Sequence, residues 1–169
     1  SMLTGSHRGT RVGACTDCRR YWAQFRANTI DSAEKDEVNQ QLVPSVGTCS
    51  VMGTASTMAC IAEALGLTVP GGASPPAVTA ERMRIAEETG ARAVQMAIDG
   101  LTIERILTPD AFENAWRVLL AIGGSTNGIV HLAALAGRVG LDLDLAALDR
   151  MGRSTPVLLD LKPSGQHYM

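Results

Sequence analysis

PVLLDL, residues Pro156–Leu161, is the stretch that decides between two architectures. It is a compact apolar run of strand length, the pattern of a strand buried in a parallel sheet. The strong signals upstream of it are helical. Many helices followed by one buried-type strand favour an α/β sheet flanked by helices, whose remaining strands lie partly outside these residues. An all-helical bundle is the competing architecture.

Working back from that run, Leu145–Met151 reads as a short helix. Ile129, Leu132, Ala133, Leu135 and Ala136 place another helix after the break Gly123-Gly124-Ser125-Thr126-Asn127-Gly128, ending near Gly140. Before that break, Thr108-Pro109-Asp110 is a cap followed by proline, which starts a helix reaching about Ile122. Leu101–Ile106 is a short connection. Thr79 opens a long helix with Met83, Ile85, Ala86, Val94, Met96 and Ile98 as apolar members and a possible interruption at Gly90. Pro70–Val78 pairs glycines with prolines and is a loop. In the helix before it, Met58, Ile61, Ala62 and Leu65 share a face, Thr54 or Ser56 can cap the start, and Gly66 can end it. Asp31 and an acidic first turn start a helix that leaves at Pro44. Cys18, Trp22 and Phe25 share a face of a helix over Cys15–Ala27. Leu3–Gly13 holds three glycines and reads as a loop, or a short strand followed by a loop.

The chain has 169 residues, 46% apolar and 19% charged, with a formal net charge of -2. That is the profile of one ordinary domain able to bury a core. A pI near 5.9 gives no broad basic field, so nucleic acid is not an expected partner. No stretch approaches the ~20 apolar residues of a membrane span, and no signal peptide opens the chain. A cytoplasmic location is therefore expected. Four cysteines are too few for a disulfide-stapled scaffold and point to metal or redox roles. Ser1-Met2 and the closing PSGQHYM lack capping or terminating signals, so both ends read as cut.

Cys49 lies in GTCSVMGTASTMAC, between a glycine-containing turn and a helix start. Backbone N–H groups and the helix dipole there stabilise a thiolate, the form that binds metal. A buried apolar filler is the other reading of Cys49, and local chemistry does not choose between them. Cys15 and Cys18 form a C-x-x-C pair, suited to a redox dithiol or half a zinc site, yet a second ligand pair is missing and packing is the simpler role. Cys60 is expected to pack. Ser125, Thr126 and Asn127, in a glycine-rich turn before a helix, offer hydroxyls, an amide and free N–H groups to an anionic ligand, or serve as an N-cap and turn. His131 reads as a core-edge residue, and His7 and His167 as loop residues.

Three segments then carry a resemblance: VGTCSVMGTASTMACIAEALGLTVPGGASPPAV over 46–78, GGSTNGIVHLAALAGRVG, and LKPSGQHYM. Together, in order, they closely resemble the dihydroxy-acid and phosphogluconate dehydratases. MLTGSHRGTRVGACTDCRRYWAQFRA is more similar to the sugar-acid (pentonate or aldonate) members. The resemblance implies a helix-rich piece of a three-layer α/β/α N-terminal domain. All of residues 1–169 would then belong to one cluster-binding domain of a longer enzyme whose C-terminal domain is absent here.

The implied reaction removes water from a 2,3-dihydroxy acid, sugar-derived or branched-chain, to give a 2-keto acid. The implied cofactors are an iron–sulfur cluster (two-iron two-sulfur) held by three cysteines and a magnesium ion. Only the last of those cysteines maps here, as Cys49. Ser125, Thr126 and Asn127 are the implied substrate-pocket residues. The cysteine-aspartate-lysine-threonine motif and the serine base of the family do not occur in this sequence. No catalytic residue is therefore assigned within it, and the isolated chain is expected to lack cluster and activity. The whole enzyme is expected to be a homo-oligomer acting on a small hydroxy acid. The readings from other classes are a noncatalytic helical binding or regulatory domain and a small thiol redox protein built on Cys15 and Cys18.

Overall fold

Arg8 and Gly9 make the first tight turn, in the computed structural model that describes residues 1–142 and 144–169. Both have positive φ, 48° and 79°. That pairing gives the two-residue turn whose twist matches antiparallel strands, and glycine takes the second position without steric cost. It joins β1 (Gly5–His7) to β2 (Thr10–Val12), with Gly5 opposite Val12 and His7 opposite Thr10. The expected loop is thus a hairpin, and His7 lies buried on its first strand rather than in a loop.

Eight helices follow among the described residues: α1 (Ala14–Arg26), α2 (Ser32–Leu42), α3 (Thr54–Ala64), α4 (Ala80–Asp99), α5 (Ile103–Ile106), α6 (Pro109–Ala121), α7 (Asn127–Arg138) and α8 (Leu145–Ser154). Their starts follow the local signals. Asp31 Oδ1 accepts from Glu34 N at 2.8 Å, and the Thr79 and Thr108 hydroxyls accept from Arg82 N and Ala111 N. Leu101–Ile106 is more than a connection, since it contains the single turn of α5. α4 runs through Gly90 without interruption.

Two apolar clusters hold the chain. The smaller joins Val12 of β2 to Val38 and Leu42 of α2, with Cys18 and Tyr21 of α1 leaning on it. The larger joins α3, α6, α7 and α8 through Ile61, Leu65, Phe112, Trp116, Leu132 and Leu148. Each large apolar side chain moved fully from water contributes roughly 1.5–3 kcal/mol, so this four-helix cluster dominates stability.

α4 is different. Its apolar members Met83, Val94 and Ile98 are 70%, 62% and 73% exposed, and none of its twenty residues is buried. Its base is anchored by Arg82, which donates to the carbonyls of Gly72 and Pro75 at 2.8 Å each. Met83→Gln is accordingly expected to shift unfolding stability by no more than about 0.5 kcal/mol, as read by urea denaturation. A loss above ~1.5 kcal/mol would mean α4 is packed in solution.

The strand expected at Pro156–Leu161 does not form. The sole sheet among the described residues is the hairpin, and Val157 and Leu158 are 69% and 71% exposed. A parallel strand is defined by its neighbours, and an apolar run without them remains an unpaired extended strap. Only Leu161 bridges, to His167. The observed class is therefore helix-rich with one small two-stranded sheet. The strap is nonetheless tied down: Leu158 N donates to Ala121 O, Met52 N to Lys162 O, and Met169 N to Ser50 O. No described helix is long and apolar enough to cross a membrane.

Candidate functional site

Thr54 and Ser56 do not cap α3. The N-cap is Gly53, without a side-chain hydrogen bond, and both hydroxyls are engaged elsewhere. Ser56 Oγ donates to Val51 O at 3.2 Å, tightening the turn that precedes the helix. Thr54 Oγ1 accepts from Asn127 Nδ2 at 2.8 Å and lies 3.5 Å from Ser125 Oγ. Two sequence segments more than 70 positions apart are thereby joined at the starts of α3 and α7.

Thr57 is the pivot of that junction. It is fully buried, and its Oγ1 accepts from Ser125 N at 2.9 Å. Gly124 and Gly128 flank it because there is no room for more: a Cβ on Gly124 would lie 2.9 Å from Thr57 Cγ2 and 3.0 Å from Leu119 O. On Gly128 a Cβ would lie 2.8 Å from Leu119 Cδ1 and 3.0 Å from Thr57 Cγ2. The glycine-rich turn is therefore required for close approach of two helix starts. Thr57→Val keeps the shape and deletes the acceptor, leaving Ser125 N–H unpaired. We expect a loss of about 1–3 kcal/mol in a denaturant titration, and unchanged stability would mean water reaches that amide.

Cys49 stands beside this junction. It is half-buried, and a Cβ on Gly53 would lie 4.0 Å from its sulfur, so the thiol sits next to the N-cap of α3. α3 has no side-chain hydrogen bond at its N-cap, whereas the first N–H groups of α7 are taken by Ser125 Oγ, Ser125 O and Thr126 O. The unpaired N–H groups at the start of α3 suit an anionic ligand. Ser125 is half-buried at the junction. Thr126 and Asn127 are exposed, and Thr126 is the N-cap of α7.

The third segment closes the site from the other side. Asp17, buried on α1, accepts from Gly13 N at 3.0 Å, pairs with Arg20 at 2.7 Å, and takes a short hydrogen bond from the Tyr168 hydroxyl. Burial, and then the Asp17 carboxylate, push the Tyr168 phenol well above its usual range. The strap, α1 and the Cys49 turn are thus one assembly, because Ser50 O also accepts from Met169 N at 2.8 Å.

Cys15, on the first turn of α1, is exposed. Burial, then the neighbouring Cys49 sulfur, pushes the Cys15 thiol up. This opposes a low-pKa C-x-x-C dithiol, and Cys18 is turned toward the Val12–Val38–Leu42 cluster instead. Cys60 is partly buried, which raises its thiol pKa, as does nearby Glu63. His131 is exposed on α7 rather than at the core edge, and His167 is exposed in the strap.

The donor set matches a thiolate-held cluster in kind but not in number. Cys49 is a sulfur donor beside the start of α3, in a partly open position. Among the described residues no group of three or more His, Cys, Asp or Glu side chains is placed to hold a metal ion.

The chain matches the family model described as dihydroxy-acid/6-phosphogluconate dehydratase N-terminal over residues 1–169. It is 48% identical over 168 residues to an L-arabinonate dehydratase of Rhizobium leguminosarum bv. trifolii, covering 99% of this chain and 29% of that protein. It is 39% identical over 168 residues to a dihydroxy-acid dehydratase of Thermodesulfovibrio yellowstonii, covering 99% of this chain and 30% of that protein. A dihydroxy-acid dehydratase of Methanococcoides burtonii is 43% identical over 144 residues, 85% of this chain and 26% of that protein. The chain therefore spans about three tenths of the length of the first two of these relatives. The three segments that converge on the Cys49 turn all lie within the matched residues, and the chain belongs to the dihydroxy-acid and 6-phosphogluconate dehydratase family, in its N-terminal region.

Proposed function

We propose that this chain is part of the N-terminal, cluster-binding domain of a longer hydro-lyase that removes water from a 2,3-dihydroxy carboxylic acid to give a 2-keto acid. The observation that carries the reading is the joining of Thr54 to Ser125 and Asn127 at two helix starts, with Cys49 next to the N-cap of α3. The domain is proposed to be a three-layer α/β/α unit completed by strands outside these residues. A second domain follows it in the whole enzyme, which is a homo-oligomer in the cytoplasm. The 48% identity to an L-arabinonate dehydratase favours a sugar acid over a branched-chain substrate.

Cys49 would hold one iron of a two-iron two-sulfur cluster, with its fellow donors and the magnesium ligands encoded outside this chain. When bound, the cluster supplies Lewis-acid assistance to a hydroxide that is otherwise a poor leaving group. The chain's own residues supply positioning. The open N–H groups at the start of α3 would attract the anionic end of the substrate. The Asn127 amide and Ser125 hydroxyl would hydrogen-bond its hydroxyls, an assignment supported by Thr54, which fixes the amide's orientation. No general base is assigned on this chain. The proton from the carbon next to the carboxylate leaves to a group of the second domain. With loss of the hydroxyl on the next carbon as water an enol is left, and it becomes the 2-keto acid by proton return.

The test is a dehydration assay of the longer, anaerobically prepared protein against pentonates, hexonates and 2,3-dihydroxy-isovalerate, with 2-keto acid as the readout. Turnover is expected with at least one sugar acid. The isolated 169-residue chain is expected to give none. No keto acid from any of them, with a full complement of iron, would overturn the reading.

A further inference from the structure

Asp17 and Tyr168, 5% and 8% exposed, are polar side chains to which the proposed chemistry gives no part. The turn that carries Cys49 is held by backbone bonds on each side of the thiol. Thr48 O accepts from Met2 N at 2.6 Å, Ser50 O accepts from Met169 N at 2.8 Å, and Met52 N donates to Lys162 O at 2.7 Å. With the carbonyls of both its neighbours fixed, the backbone at Cys49 has little room to turn, and the direction of the sulfur is left to the staggered torsion χ1. The bond from Met169 depends on the residue before it. Tyr168 is seated with its ring against Gly13, where a Cβ would overlap the ring and lie 3.0 Å from Ser50 Oγ, and with its hydroxyl donating to Asp17 Oδ2. Asp17 is fixed in turn by Gly13 N, which donates to the same oxygen at 3.0 Å, and by Arg20, 2.7 Å from Oδ1. The Lys162 ammonium lies 5.2 Å from the centre of the Tyr168 ring, so the ring also meets the residue whose carbonyl takes the Met52 N–H.

We propose that Asp17 and Tyr168 are positioning residues for the metal site: the hydrogen bond between them seats the strap, and the strap holds the Cys49 turn in the orientation that serves a cluster. The proposal rests on Cys49 being a donor, and it gives neither Asp17 nor Tyr168 a contact with iron or substrate. Side chains of this kind act through the geometry they impose, since a ligand whose supports are loose binds its metal less tightly. A purely structural role has a different signature, a less stable domain around an unaltered metal site. Tyr168→Phe and Asp17→Ala both break the bond. Asp17→Asn is the conservative change, because its amide oxygen can still accept from the Gly13 N–H and from the phenol.

The test uses the longer protein, prepared anaerobically with iron and sulfide, and its Tyr168→Phe, Asp17→Asn and Asp17→Ala forms. Iron release to the chelator bathophenanthroline disulfonate is expected to quicken about ten- to a hundredfold in Tyr168→Phe and Asp17→Ala, as for loss of a partner that orients a metal ligand. The electron paramagnetic resonance g values of the reduced cluster are expected to shift in the same two proteins. Asp17→Asn is expected to stay near the unaltered protein in both measurements. Unchanged release and unchanged g values in Tyr168→Phe would overturn the proposal. Equal effects of Asp17→Asn and Asp17→Ala would overturn it too, because the hydrogen bond would then not be what matters. If Asp17→Ala fails to fold by circular dichroism, Tyr168→Phe, which removes a single oxygen, decides. Failure of the donor reading looks different. A Cys49→Ser protein that loads iron as fully as the unaltered one removes the ground of the proposal, whereas iron lost from Cys49→Ser beside an unaltered Tyr168→Phe removes the positioning role alone.

Discussion

Replacing Cys49 by serine in the longer protein is expected to lower turnover by at least about a thousandfold and to remove most bound iron. The reason is the number of donors. A cluster with three cysteine donors that loses one has an open iron coordination site, and a serine hydroxyl at neutral pH is a far weaker donor than a thiolate. The turn between the thiol and α3 is also braced, through Ser56 Oγ donating to Val51 O. Stability should hardly change, because Cys49 is only half-buried and outside both apolar clusters. Cys18→Ser is the control, expected to cost stability but to retain iron. Measuring iron, acid-labile sulfide and turnover in parallel separates the two effects. Full iron content in Cys49→Ser would refute the assignment.

Ile61→Ala is expected to be the most destabilising single truncation in the chain, by about 2–5 kcal/mol. Ile61 has no exposed surface and stands where α3 meets α6 and α7. Its Cδ1 would be 3.2 Å from a Cβ on Gly128, so the cavity left behind opens under the glycine-rich turn. A domain of ordinary stability, about 5–15 kcal/mol, would lose a large part of it. The shift should be seen in urea midpoints, and in the longer protein it should come with weaker substrate binding, since α3 and α7 also position Thr54 and Asn127. A cost under ~1 kcal/mol would mean the four-helix cluster is not the main source of stability.

The parts of this fold that were legible in the sequence are the ones encoded locally. Asp31, Thr79 and Thr108 each start a helix because an N-cap needs only its own side chain and the backbone two or three residues on. Thr54 misled for the same reason. It has the right chemistry and place for a cap, but a partner from Asn127, far along the chain, takes its hydroxyl. The hairpin was obscured because Arg8-Gly9 is a less recognisable turn pair than asparagine or aspartate with glycine.

Apolar patterning located the helices but not what covers them. Met83, Val94 and Ile98 have the periodicity of a buried face and are exposed, and Val157 and Leu158 have strand chemistry without a strand partner. Burial is a property of pairs of elements, and pattern describes one element at a time. The site shows the same division. Cys49 and the Ser125–Asn127 turn could each be picked out singly, and the sequence segments themselves carried the family. That the turn meets Thr54 follows from tertiary packing alone.

The most direct measurement is an anaerobic crystal structure of the longer protein with iron and sulfide restored. The expected result is an iron bonded to the sulfur of Cys49, with Ser125 and Asn127 facing the space beside it. Iron bound by other residues, with the Cys49 thiol free and packed among apolar side chains, would contradict the account.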